Sequence, residues 1–495
     1  MVPVALTPVA ALLGLAGMLI SLAALIWLAY RGWTVLVVAP AAAMVAAAIS
    51  GEPVLAHWTL TFMTSAARFL AQFFPIFLLG AIFGKLMEDS GSVQTIANFM
   101  TKKLGARRAM LAVVIGGAIV TYGGVSLFVA FFVLAPMALA VFQEADIPRR
   151  LIPAAIALGT STFTMSALPG TPAIQNAIPM PFFDTTPFAA PGLGIIASVL
   201  MVTFGLWWLA REEARAHARG EGFNGSGVAS TPAHDTLLVR ERATVAQSFD
   251  PGEIAHGRVS VDLPSFGVAV MPLVLVVSIN LVMNVLVLPR IDASYLAEAR
   301  WGSTSMGAVG GVWGVCVALG VAIVVLSLVN RRRLTALRES IDAGANAAVL
   351  PVLSVGSLVG YGAVVAALPA FALVREWVLG IGGGPLVSLA VSTNLLAALT
   401  GSASGGLTIA LDALGSTYLQ LAAQHHIDPA LLHRVAVISS GTLDSLPHNG
   451  AVVTLLAVCG STHRESYRDI VMVAVVGALV ALIAVIALGS LVGSF

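Results

Sequence analysis

Charge is scarce in this sequence. Of its 495 residues, 10% are Asp, Glu, Lys or Arg and 58% are hydrophobic, whereas a soluble domain carries about 25% charged and roughly 45–50% apolar residues. Water is therefore not the main solvent of this chain. What charge there is balances, 25 basic residues against 24 acidic, so no net field recruits nucleic acid or another polyanion. Cysteine is nearly absent. Cys316 and Cys459 stand far apart in apolar segments without metal-ligand spacing, which argues against a disulfide or a metal site and leaves two small buried side chains. No Lys or Arg precedes Arg31, so the first apolar run lacks the basic region of a secretory signal. It reads as a retained helix with its N-terminus outside.

What is present is a series of apolar runs. A helix needs about 20 apolar residues to cross ~30 Å of hydrocarbon, and 8–30, 33–50, 66–88, 190–210, 266–288, 303–330, 346–371 and 470–493 meet that requirement. Between 109 and 189, and again between 382 and 462, Gly, Ser, Thr and Pro interrupt the runs at membrane depth. These stretches predict shorter helices and re-entrant hairpins. A single hydrophilic interval, 211–264, mixes Arg211, Glu212, Glu213, Arg215, Arg219, Arg240, Glu241 and Arg242 with Gly and Ser. The expected division is a first membrane repeat over 1–210, a cytoplasmic linker over 211–264 and a second repeat over 265–495. Basic clusters at Arg31, Lys102 to Arg108, the linker and Arg331 to Arg333 mark the cytoplasmic face. Trp27, Trp33, Trp207 and Trp208 beside them fit an interfacial belt, and the expected location is the inner membrane, with multiple crossings.

The chain contains itself twice. PIFLLGAIFG, with Pro75, Gly80 and Gly84, has the spacing of PVLSVGSLVG, with Pro351, Gly356 and Gly360, both proline-plus-small-residue helices suited to close packing. STFTMSALPGTPAIQN, from Ser161, resembles SSGTLDSLPHNGAVVT, from Ser439, at nearly the same interval. Basic residues follow the first landmark helix at Lys85 and Lys102 but precede the second at Arg331 to Arg333, so the two copies cross the bilayer in opposite senses. The predicted fold class is an all-α polytopic membrane protein of two inverted-topology repeats with re-entrant hairpins and broken helices.

Backbone that leaves the helix in hydrocarbon survives only inside protein or beside a watery cavity, so the breaks point to a solute path. They are TYGGVS (121–126), SALPGTP (166–172), TGSASGG (400–406) and DSLPHNG (444–450). Each offers amides at a half-helix start together with hydroxyls, and the positive end of a helix dipole favours an anion. The expected carboxylate ligands are Thr121, Gly123, Gly124, Ser126, Ser166, Gly170, Thr171, Ser402, Ser404, Gly405 and Ser445, with Asn176 and Asn449 reading hydroxyl or carbonyl groups. The same Gly and Ser residues also serve tight helix packing. Ionisable groups at membrane depth are costly and usually functional; Asp444 and His448 share one break and form the expected proton-handling pair, with Asp412 ranked below them. The alternative is that Asp444 caps the following helix and His448 satisfies a carbonyl. Arg434, Arg149 and Arg150 lie near predicted helix ends and read as solvated or snorkelling, and His425 and His426 read as surface residues.

At SALPGTPAIQNAIP (166–179) and DSLPHNGAVVTLLAVCGSTHRESYRDI (444–470) the sequence resembles the gluconate permease family, part of the larger ion transporter superfamily, over nearly its whole length. The resemblance implies proton symport of sugar acids or short hydroxy acids, a homodimer, and two hairpin-bearing regions moving against a scaffold in an elevator motion. Gluconate carriers of the family commonly show a Pro- and His-rich signature where this chain has LPGTPAIQN; the PGTPAIQN and SLPHNG forms look more like the D-3-hydroxybutyrate permease branch. The expected guest is accordingly a small hydroxy-carboxylate, with gluconate or another sugar acid as the alternative. The coupling ion would be H+, with Na+ as the alternative, and no cofactor is called for. Two rivals remain at this point: a channel built on the same broken helices, and an intramembrane enzyme using Asp444 and His448 as acid and base, although no activated nucleophile or metal triad accompanies them.

Overall fold

In the computed structural model the described residues are 8–31, 33–105, 108–223, 257–447 and 449–495. Most of the predicted linker, and His448, lie outside them. Among the described residues the regular structure is entirely helical. The first half comprises α1 (Pro8–Tyr30), α2 (Val35–Ile49), α3 (Val54–Asp89), α4 (Ser92–Leu104), α5 (Ala109–Tyr122), α6 (Leu127–Glu144), α7 (Ile152–Thr160) and α8 (Pro191–Ala218). Between α7 and α8 only single turns form, at Phe163–Ser166, Ile174–Ala177 and Met180–Phe183. The second half comprises α9 (Phe266–Arg290), α10 (Met306–Val329), α11 (Leu337–Ala367), α12 (Phe371–Leu379), α13 (Pro385–Thr400), α14 (Ala403–Gln424), α15 (Pro429–Ser440), α16 (Gly450–Val458) and α17 (His463–Val492).

Seven of these helices are long and apolar enough to cross a membrane. α5, α6 and α13 are shorter, as the interrupted apolar runs require, and so is α2, whose 15 residues fall short of the full span expected over 33–50. Helix starts follow local chemistry: Asp428 precedes Pro429 and accepts from Ala430 N, and Asn449 accepts from Ala451 N and Val452 N. α8 runs past residue 210 to Ala218, so the N-terminal part of the predicted linker is helical.

The order of elements repeats. α2 to α7 correspond to α10 to α15, and α8 to α17, in sequence order and in approximate length. Packing is reciprocal. α2 lies on α11 and α10 lies on α3; α5 lies on α7 and α13 on α15. α16 packs on α6 and α7, while the turns at Ile174–Ala177 and Met180–Phe183 pack on α14 and α15, so each half supplies the segment that covers the other half's hairpin. Two counterpart pairs, α3 with α11 and α8 with α17, touch each other directly, which puts the pseudo-twofold axis between them.

The lipid-facing surface is apolar: Leu12, Leu19, Val274, Leu328 and Ile483 are exposed, which in water would be a liability. Trp27, Trp33 and Trp207 are exposed as a belt requires, and the Arg31 and Arg211 guanidiniums sit over Trp27 and Trp207 at 4.7 and 5.4 Å from the ring centroids. Trp208 departs from that expectation. It is buried and donates its Nε1–H to Asp469 at 3.0 Å.

Candidate functional site

Both hairpins turn on a left-handed glycine. α5 and α6 are joined through Gly124 (φ +97°), and α13 and α14 through Gly401 (φ +62°), a conformation that costs a residue with Cβ. Ser402 then caps α14 by accepting from Gly405 N at 3.1 Å. Each tip is tied to the break in its own half: Tyr122 Oη donates to Pro169 O at 2.8 Å, and Asn449 Nδ2 donates to Gly401 O at 2.8 Å. The first break also packs beside the end of α15, which leads into the second: a Cβ on Gly441 would lie 3.0 Å from Ser166 Cβ.

The two tips and the first break border a chamber of about 230 Å³. Its wall takes Thr121, Gly124, Val125 and Ser126 from the first tip, Ser402 and Ser404 from the second, and Pro172 to Gln175 from the first break. The opposite wall is formed by α3, through Gly80, Gly84 and Lys85, and by α11, through Gly344, Ala347, Pro351 and Val355. A second space of about 30 Å³ holds Ser161, Asp444, Ser445 and Asn449; Leu127 and Met165 line both and partition them.

The electrostatics of the chamber favour an anion. α6 begins at its wall with Leu127, and α14 begins there with Ser402 and Ser404, so two helix N-termini present their partial positive charge. Among the described lining residues the one charged side chain is Lys85, which is 4% exposed. Ser402 and Ser404 stand 3.4 Å apart at Oγ, whereas Thr121 Oγ1 donates to Gly117 O at 2.8 Å.

The sequence-derived residues divide in three. Thr121, Gly124, Ser126, Ser402 and Ser404 line the main chamber. Asp444, Ser445 and Asn449 line the small one, where Ser445 Oγ donates to Asp444 Oδ1 at 3.2 Å; the cap of α16 is Asn449 rather than Asp444. The remainder reach neither space. Gly123 packs on Leu273, Gly405 faces Leu358 and Gly170 turns under Phe188. Ser166 Oγ donates to Thr162 O, and Thr171 Oγ1 accepts from Ala173 N. Asn176, expected to read a substrate group, instead donates to Thr171 O and Pro187 O and faces His433 Nε2 at 3.2 Å. Its polar capacity is used in holding the break's shape. Asp412 is on the exposed face of α14 and lines neither space.

Three basic residues also differ from expectation. Arg434 is completely buried and donates to Ala189 O at 2.6 and 3.0 Å and to Ala167 O at 3.1 Å. Arg150 joins Asp469 at 2.7 Å and Glu221 at 2.8 Å, with the buried Glu212 at 3.8 Å, and Arg149 donates to Cys459 O. These are tertiary ties rather than solvated ends. His425 and His426 are exposed, as read. The residues that sequence reasoning missed are Lys85 and Gln175. Lys85 follows the Gly80 and Gly84 spacing directly and was legible only as a topology marker.

A helical membrane protein whose inverted repeats bring two re-entrant tips to one chamber has the architecture of a transporter. The comparisons agree. Residues 12–185 match the GntP family permease. An uncharacterized transporter of Bacillus subtilis (strain 168), YxjC, is 41% identical over 482 residues, 96% of this chain and 98% of that protein. The high-affinity gluconate transporter of Escherichia coli (strain K12) is 38% identical over 112 residues, 22% of this chain and 24% of that one. A crystal structure of the Alcanivorax borkumensis YdaH transporter, described as having an unusual topology, shares the fold with a TM-score of 0.52 at 17% identity, over 86% of each chain. The chain belongs to the GntP permease family. It is a multi-pass membrane transporter and not an enzyme.

Proposed function

We propose that the chain is a proton-coupled symporter of a small hydroxy-monocarboxylate, of the size and polarity of D-3-hydroxybutyrate, bound in the 230 Å³ chamber. The observation that carries this reading is the convergence of the N-termini of α6 and α14 with Lys85 on one chamber, which suits a single carboxylate. Hydroxyls of Ser126, Ser402 and Ser404 and the Gln175 amide line the same wall and match a substrate hydroxyl. Protonation at Asp444, behind the Leu127 and Met165 partition, accompanies binding, and the paired hairpins move against α3 and α11 in an elevator motion within a homodimer. Gluconate is the second reading, favoured by the relative named for it, which matches over 112 residues.

The test is uptake into proteoliposomes with an inward proton gradient. Labelled D-3-hydroxybutyrate is expected to accumulate and to exchange in saturable counterflow, with competition by unlabelled D-3-hydroxybutyrate and lactate exceeding that by gluconate and citrate. Accumulation indifferent to the pH gradient would remove proton coupling, stronger competition by gluconate would move the substrate class, and unsaturable flux would indicate a channel.

A further inference from the structure

Lys85 reaches the chamber wall from a buried ionic cluster that the hairpins do not contain. Its Nζ is 2.9 Å from Asp89 Oδ1 and 3.7 Å from Glu88 Oε2. Asp89 is completely buried, and its second oxygen, Oδ2, accepts from Ser340 Oγ of α11 at 2.6 Å. The chain returning after the linker closes over this cluster: Ser260 N donates to Asp89 O at 2.8 Å, and a Cβ at Gly257 (φ +96°) would lie 2.5 Å from Asp89 Oδ2. Only glycine allows that approach. The other charged side chains of these elements turn away. Arg338, Glu339 and Asp342 of α11 and Arg258 of the returning segment are exposed, and Asp262 pairs with Arg333 at 3.1 Å.

We infer that Lys85 is the cation that takes the substrate carboxylate, and that Asp89 is its exchangeable counter-ion, which takes up a proton from solution when the substrate displaces it. This rests on the proposal that the guest is a carboxylate. Asp89 makes the close contact with the ammonium in the empty carrier, with Glu88 farther off at 3.7 Å, and the substrate takes the place of Asp89 in the loaded one. A carboxylate left buried without its cation is costly. A proton on Asp89 offsets the charge of the entering anion, which Ser340 Oγ and the Gly257 backbone leave little room for water to do. The balance is complete: one substrate anion enters, one proton binds Asp89, and the net charge of the site is unchanged. Linkage then requires that protons tighten substrate binding by the factor with which substrate tightens proton binding. Asp444 is a separate seat for a proton, since it borders the small chamber and shares no ion pair with the chamber wall.

The experiment is substrate affinity against pH, by isothermal titration of the full-length detergent-solubilised protein with D-3-hydroxybutyrate and with gluconate. Wild type is expected to bind more tightly as pH falls. Asp89→Asn, which keeps the hydrogen-bonding shape and removes the charge closest to Lys85, is expected to bind at least as tightly as wild type at neutral pH, with the pH slope reduced by one proton per substrate. Lys85→Ala is expected to lose at least tenfold in affinity, and Lys85→Arg to retain binding within about threefold. The Lys85→Ala/Asp89→Asn double variant, neutral at both positions, reports on the loss of the cation without a stranded buried charge, and is expected to bind as weakly as Lys85→Ala. An unchanged slope in Asp89→Asn, or wild-type affinity in the double variant, would overturn the assignment. Failure of wild type to bind either acid would instead sink the carboxylate reading on which it depends.

Discussion

At the residue scale, the side chains that hold the site differ from those that face it. Arg434 is the clearest case. It is completely buried and its guanidinium donates to the carbonyls of Ala167, inside the first break, and Ala189, just before α8. A buried carbonyl without a donor costs about 1–3 kcal/mol, so the guanidinium's desolvation is offset by the acceptors that the broken backbone strands. Arg434→Met is expected to destabilise the protein by roughly 2–4 kcal/mol, read as a lower thermal midpoint in detergent. Binding of the acid should weaken less than stability, since Arg434 lines neither chamber. Sequence could not reveal this role. An Arg near a helix end beside Pro429 looks the same whether the end faces water or another break.

At the element scale, the re-entrant hairpins were legible because glycine and serine at membrane depth need a protein partner. The tips came out at Gly124 and Gly401, in the corresponding turn of the two halves. Their partners were not legible, because Tyr122 with Pro169 and Asn449 with Gly401 are contacts across many residues. Gly124→Ala puts a methyl 2.8 Å from Pro172 Cγ in a backbone region hostile to it, at a cost of about 1 kcal/mol or more. The expected result is an assembled protein, monodisperse by size-exclusion chromatography, with proton-driven uptake reduced at least tenfold. Near-normal uptake would show that the tip does not shape the chamber. The proline-plus-small-residue helices behaved unequally: Gly356 and Gly360 pack on Phe69 and Phe62, whereas Gly80 has open space above it and lines the chamber.

At the scale of the whole molecule, the sides of the membrane are stitched by different chemistry. On the basic face Arg150 gathers Asp469, Glu221 and Glu212, and Arg149 reaches Cys459 O. On the other face Gly192 N bonds to Phe495 O at 2.7 Å, Thr185 meets His433, and Ser494 donates to Asp428. Opposite orientation of the repeats has a direct consequence: Glu144, at the end of α6, and His426, just past the end of its counterpart α14, should label from opposite sides. In a background with Cys316 and Cys459 replaced, Glu144→Cys is expected to react with a membrane-impermeant thiol reagent from the cytoplasmic side alone, and His426→Cys from the outer side alone. Labelling of both from one side would abolish the inverted repeat.

Composition and hydropathy by themselves determined the solvent, the all-helical class, the duplication and the places where helices break, because each of these is set by local chemistry: the length needed to cross hydrocarbon, the cost of a charge there, the permissiveness of glycine. Tertiary structure alone decided which breaks share a chamber, that Asn176 and Arg434 support the site from behind it, and that Lys85 faces the chamber with Asp89 at its back. Those outcomes depend on how α3, α11 and the hairpin tips pack, and a packed neighbour leaves no mark in the residues that will meet it.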